Sequence, residues 1–121
     1  MTERFKRVGF TVYPVADMKR ARAFYEGVLG LKPGEDFDGK WQEYDFGGTT
    51  FAISTAIIEW VKPGSQGSVA FEVSDVKGLV KDLRAKKVEF AGGEDVMETP
   101  VCTMAFMKDP DGNSISLHQL K

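Results

Sequence analysis

Asp109-Pro110-Asp111-Gly112-Asn113, followed by Ser114-Ile115-Ser116-Leu117-His118-Gln119, is the stretch on which the reading of this chain turns. Its first five residues are turn chemistry. Pro110 fixes φ, the Asp and Asn side chains bond back to their own backbone, and Gly112 or Asn113 tolerates φ > 0. The next five alternate as a half-buried strand does. Ile115 and Leu117 face one way; Ser114, Ser116 and His118 face the other. A tight turn feeding a strand with a polar face delivers side chains into a cleft. The strand ahead of it, 101–108, completes a hairpin.

Further back, Ser68 to Ser74 alternates too, with Val69, Phe71 and Val73 against Ser68, Ala70 and Glu72. Asp75 reads as a helix N-cap, its carboxylate able to bond the free amides of the first turn. Val76, Leu79, Val80 and Leu83 form the apolar stripe of that helix. Val88 to Phe90 reads as a short strand, and Gly92-Gly93 opens a loop that runs through Pro100.

The first half repeats the plan. Val8, Phe10 and Val12 predict the apolar face of a strand over 5–12, with Gly9, Thr11 and Tyr13 opposite and Pro14 at its end or at a bulge. Asp17 caps a helix whose apolar positions are Met18, Ala21, Phe24, Tyr25, Val28 and Leu29. Gly30 is placed for a left-handed C-cap. Gly27, inside the last turn, is unfavourable in a helix unless it permits close packing. Strands over 41–46 and 49–55 flank a Gly47-Gly48 turn. Asp17-Met18-Lys19 matches Asp75-Val76-Lys77, and Gly-Glu-Asp-Phe37 matches Gly-Glu-Asp-Val96. The fold class is therefore α+β: two βαβββ modules in one chain, 1–55 and 68–121, within a single domain spanning 1–121. A connector, 56–67, carries Trp60, either as a lid, as an oligomer contact or as cover for the core edge. Two copies make no solenoid. They pair around a concave mixed sheet on which polar side chains converge.

Composition narrows the function. A chain of 121 residues is long enough to bury a core without disulfides or a structural metal. Sixteen basic against eighteen acidic residues give a net charge of −2, so neither nucleic acid nor an anionic membrane is an expected partner. The single cysteine, Cys102, forms no disulfide within the chain and fits a reducing, cytoplasmic compartment; it reads as a small buried residue rather than a nucleophile. No apolar run approaches the ~18 residues a membrane span needs.

Val15-Ala-Asp17 leading to Ala23-Phe-Tyr25 and Val28-Leu-Gly-Leu31, then Phe71-Glu-Val-Ser-Asp75, Asp109-Pro-Asp-Gly-Asn113 and Ile115-Ser-Leu117 carry a resemblance. In that order and spacing, the chain resembles the vicinal oxygen chelate superfamily, the glyoxalase I, bleomycin-resistance and extradiol dioxygenase group. The resemblance implies a glyoxalase/bleomycin-resistance-like fold over nearly the whole chain. Family enzymes hold a divalent metal with one His, Glu or Gln from each of four strands, because N and O donors must leave positions open for substrate. Carried over, those positions fall at Gly9 (with a bulge near Tyr13-Pro14) or at Phe10 (without one), at Ala52, at Ser68 and at Ser116. None is a competent metal ligand, so the expected cofactor is none.

The remaining polar residues suggest a binding cleft. His118, the only histidine, shares a face with Ser116, and Glu72 shares one with Ser68. The two form a weak acid–base candidate, since a carboxylate can orient an imidazole that titrates near neutrality. Trp41, Glu43, Trp60, Ser68, Glu72, Ser116 and His118 are the ligand-binding candidates; Tyr13 and Phe106 are further aromatic liners, the latter read as core. A cleft with aromatic walls and a few polar groups suits a small molecule. The resulting expectation is a metal-independent small-molecule binding protein, similar to drug-sequestering members of the family, acting as a homodimer. The alternatives are a metal-dependent lyase, isomerase or dioxygenase, and a non-catalytic dimeric interaction or sensor domain.

Overall fold

Two βαβββ modules are present in a computed structural model of the chain, which describes residue 4 and residues 8–59, 61–64, 67–91 and 96–121. The first module comprises β1 (Thr11–Pro14), α1 (Met18–Arg22) with its π-helical continuation (Ala23–Val28), β2 (Asp36–Phe37), β3 (Trp41–Asp45) and β4 (Thr50–Ser54). The second comprises β5 (Val69–Glu72), α2 (Val76–Ala85), β6 (Met97–Glu98), β7 (Cys102–Lys108) and β8 (Ser114–Leu120). Each builds a four-stranded mixed sheet with the same order, β1-β4-β3-β2 and β5-β8-β7-β6. The first strand of each module lies parallel to the last, and the hairpins are antiparallel.

Both aspartate caps form. Asp17 accepts from the Arg20 amide at 3.1 Å and Asp75 from the Gly78 amide at 3.1 Å. Helix α2 buries Val76, Val80 and Leu83, the predicted stripe. The first helix departs from the sequence reading after Arg22. Its wider π turn, closed by the Leu29 amide on the Phe24 carbonyl at 2.9 Å, presents Phe24 and Tyr25 together to the sheet. Gly27 has no steric role there, since a Cβ would meet nothing within 4 Å.

Three strand assignments are corrected. The face of β1 is reversed: Tyr13 and Val15 are buried, whereas Val8 and Phe10 are exposed. Tyr13 registers with Ile53 and Val12 with Ala52, so Tyr13 shares the helix-covered face with Phe51 and Ile53. The apolar alternation of Val8, Phe10 and Val12 marks the uncovered face instead. The predicted start of this strand at Phe5 lies outside the described residues. The short strand of the second module is Met97–Glu98, not Val88–Phe90, although the Ala91 amide does reach the Phe106 carbonyl at 2.9 Å. In the first module Asp36–Phe37 pairs with β3, a two-residue strand too short for any periodicity to show. Gly92-Gly93 and Trp60 also lie outside the described residues.

The Asp109–Asn113 turn locks one module to the other. Asp109 and Asn113 are buried. The Asp109 carboxylate accepts from the amides of Asp111 and Asn113, from the Asn113 Nδ2 and from the Tyr25 hydroxyl at 2.7–2.9 Å. Asn113 Nδ2 also donates to the Pro14 carbonyl at 2.9 Å, and its Oδ1 accepts from the Gly64 amide at 2.8 Å. Asp111 accepts from the Ala16 amide and from Arg20. Buried polar groups of this density persist when nearly all are paired, and among the described residues Asp111 Oδ2 is the one buried side-chain oxygen of the turn without a partner. The turn is thus a cross-module clamp. Burial, then the Asp109 charge, pushes the Tyr25 phenol well above its usual range, so it stays a donor.

Candidate functional site

The helices cover one face of each sheet and leave the other open. Register fixes which side chains the open faces carry, because paired residues in adjacent strands point the same way. In the second sheet Glu72 registers with His118, Ala70 with Ser116, and Met104 and Phe106 with His118 and Ser116. The core-facing set between them is Val69, Phe71, Ala105, Met107, Ile115 and Leu117. The alternation read around Ile115 and Leu117 is therefore the alternation of the sheet.

Two polar pairs stand on this open face. His118 Nδ1 and Glu72 Oε1 are 2.5 Å apart, and the Leu120 amide donates to Glu72 Oε2 at 2.8 Å. The bond from His118, then that from Leu120, holds the Glu72 carboxyl below its ordinary range. An ionised carboxylate only accepts, so Nδ1 carries the shared proton and Nε2 is the nitrogen left to a ligand. Beside them Ser68 Oγ and Ser116 Oγ are hydrogen-bonded at 2.8 Å. Ser116 is buried while Ser68 is exposed, so the pair spans the floor and rim of the face. Among the described residues no hydrogen bond joins His118 to Ser116. A nucleophile–base pair is therefore not assembled.

The first sheet's open face is aromatic. Trp41 and Phe10 meet edge to face at 5.2 Å, and the Trp41 indole N–H donates to Glu43 Oε2 at 3.0 Å. Glu43 registers with Ala52, which with Val12 completes this surface. The apolar alternation of the sequence groups Phe10 with Val8 and Val12, and the burial of Tyr13 and Val15 puts that group on the open face. Tyr13, expected as a cleft liner, is instead a strut between modules. Its hydroxyl accepts from the Val69 amide at 2.5 Å and is directed at the carbonyls of Ser114 and Gly67. The predicted binding residues thus separate into two clusters: Trp41 and Glu43 on one sheet, Ser68, Glu72, Ser116 and His118 on the other.

The metal implied by the resemblance can be tested on the donor set. The β1–β4 register runs without a bulge, and Phe10, through its ring contact with Trp41, takes the face of Ala52; the first position is therefore Phe10, not Gly9. The four positions then offer a phenyl ring, a methyl group and two hydroxyls bonded to each other. Among the described residues no group of three or more His, Cys, Asp or Glu converges on a point. A phenyl ring and a methyl group donate nothing, and two hydroxyls bonded to each other are weak donors, so these residues do not fit the imidazole and carboxylate or amide set that holds a divalent metal.

A family model described as Glyoxalase/Bleomycin resistance protein/Dioxygenase superfamily matches residues 7–117. Among solved structures the chain is similar to TnmS3, an antibiotic binding protein from Streptomyces sp. CB03234, at 26% identity and a TM-score of 0.79, covering 96% of this chain and 97% of that one. A glyoxalase/bleomycin resistance protein from the same organism is 26% identical, with a TM-score of 0.75 over 93% of this chain and 100% of that one. A lactoylglutathione lyase from Agrobacterium tumefaciens, 18% identical with a TM-score of 0.74 over 94% and 93%, shares the fold. No curated protein matches the chain. No helix among the described residues is long and apolar enough to cross a membrane.

Proposed function

The chain belongs to the glyoxalase/bleomycin resistance/dioxygenase superfamily, and from that premise we propose that it binds a small organic molecule, antibiotic-like in size, without a metal. The observation that carries this reading is the content of the four open-face positions: Phe10, Ala52, Ser68 and Ser116 present apolar contact and hydroxyls where a metal enzyme needs charged or imidazole donors. The likeness to an antibiotic binding protein supports the ligand class. On this reading His118 Nε2 and the serine pair orient the ligand by hydrogen bonds, and flat apolar parts of it lie against aromatic side chains. The exposed Phe10 and Phe37 suit burial against a second copy, which makes a homodimer the proposed assembly, in the cytoplasm. The Glu72-oriented imidazole favours one second reading, metal-free acid–base chemistry on the bound molecule.

The test pairs two measurements on the purified protein. Thermal denaturation with Zn²⁺, Ni²⁺, Mn²⁺ and Fe²⁺ is expected to show no shift in midpoint. Titration with a panel of aromatic antibiotics, followed by tryptophan fluorescence, is expected to give saturable binding that His118→Ala weakens by about tenfold. Stoichiometric metal and a large metal-dependent shift would overturn the reading. Turnover of a bound compound, lost in Glu72→Gln, would select acid–base chemistry.

A further inference from the structure

A hollow lies at the end of β7, where the π turn of the first module meets the segment after α2; Phe106 and Ser114 also line it, but neither Glu72 nor His118 does. It is an open groove of about 580 Å3, within the range of small-molecule sites. Phe24, Val28, Phe90 and Pro110 supply apolar walls, and Lys86, Lys87 and Lys108 stand at its edge. The Lys86 ammonium donates to the Val28 carbonyl at 3.1 Å and ties the walls together. Lys87 and Lys108 form no ion pair among the described residues. Of the two acids lining the groove among the described residues, Asp109 is buried and engaged by four donors, which leaves Glu89, of those two, to offset the lysines.

Lys87 stands out on a second count. Its φ is +71°, in the left-handed region that strains any residue with a Cβ. It occupies the position after α2 that closes the helix, with the Val88 amide bonded to the Leu83 carbonyl. The first module fills the same position with Gly30, at φ +77°. The extra residue of the π turn accounts for the offset between the two. The repeat thus solves one backbone problem with glycine in one module and with a strained lysine in the other, and that lysine lies against an apolar groove.

We propose that this groove binds a small organic anion with an apolar body, its acid group held between Lys87 and Lys108, at a site distinct from the His118–Glu72 pair. Charge and shape argue for that occupant: a neutral apolar molecule would leave the two ammonium groups unpaired, and a cation would be repelled.

The test uses 8-anilinonaphthalene-1-sulfonate, an aromatic body with one fixed negative charge, titrated into the native protein and followed by fluorescence. Saturable one-to-one binding is expected, displaced by decanoate and not by decanol or decylamine. Lys87→Gly is expected to weaken the dye by about tenfold while the thermal midpoint holds or rises, because the strain is relieved as the charge is lost. Lys108→Met should weaken it comparably. Equal displacement by decanol, or unchanged affinity in both lysine variants, would overturn the proposal. So would affinity lost in His118→Ala but kept in Lys87→Gly, which would put the dye at the His118–Glu72 pair.

Discussion

The two hairpin turns of the repeat began as equivalents and now do different work. In the first module the Phe46 amide closes the turn on the Thr49 carbonyl at 2.9 Å, the Asp45 carboxylate reaches the Gly47 amide at 3.3 Å, and everything in it is exposed. In the second module the Asp109 amide closes on the Asn113 carbonyl at the same 2.9 Å, but both side chains are buried and bonded across to Tyr25, Pro14 and Gly64. A duplicated fold needs something unsymmetrical to fix how its halves dock. Here one turn supplies it with directional hydrogen bonds, and the other, among the described residues, contributes only a ring contact, Phe46 against Phe71 of the second module with centroids 5.3 Å apart. The open faces diverged alongside: aromatic on the first sheet, polar on the second.

The sharpest way to break that contrast is to remove the same carboxylate from each turn. Asp109→Ala leaves four donors without their acceptor and is expected to cost about 3 kcal/mol or more in urea unfolding. Asp45→Ala removes a long, exposed contact and should fall within about 0.5 kcal/mol of the parent. Similar losses from the two variants would mean that the clamp does not hold the modules together.

The clamp's presence was legible in the sequence, but not its purpose. Asp109 to Asn113 was readable as a turn because Pro, Gly, Asp and Asn each have a local backbone reason to be there. That Asp109 receives the Tyr25 hydroxyl depends on packing between residues 84 apart, which no local pattern encodes. The same limit explains Tyr13. Over a four-residue strand flanked by irregular chain, alternation names two faces without saying which is covered, and the exposed Val8 and Phe10 were more apolar than the buried tyrosine. On β8 the alternation was longer, and Ile115 and Leu117 fixed the polar face carrying Ser116 and His118. The Glu72–His118 contact then followed from parallel register, which sequence could suggest but not set. The groove at Lys87 had no sequence signal, since only the backbone shows that a lysine holds a glycine's conformation.

The helices sharpen the comparison with a gain instead of a loss. Helix α2 is regular, whereas the first helix widens into a π turn that contains Gly27. With no neighbour within 4 Å of a Cβ and no left-handed φ, Gly27→Ala should stabilise the fold by about 0.5–1 kcal/mol by restricting the unfolded chain and favouring the helix. Destabilisation would show that the π turn draws on glycine's freedom.

The smallest effect separates the faces by pH. Each module carries a carboxylate held below its ordinary value: Glu26, chiefly by Arg22 with Tyr44 adding a bond, and Glu72, chiefly by His118; the second module adds Glu98, lowered chiefly by its bond from Lys121. A depressed folded-state value means the stabilisation is present above the unfolded value of 4.5 and is lost as pH falls through the folded one. Exposed ion pairs contribute little, so the change is read in thermal midpoint as a difference between variant and parent. Glu26→Gln and Glu72→Gln should each lie slightly below the parent at pH 7 and converge on it below pH 4.5. Glu72→Gln should in addition disturb the orientation of His118, and with it ligand binding at neutral pH, whereas Glu26→Gln, on the helix side of the first sheet, should leave binding unchanged. An offset from the parent that stays constant from pH 7 to pH 3 would show that the carboxylate charge contributes nothing and that the substitution acts only through packing.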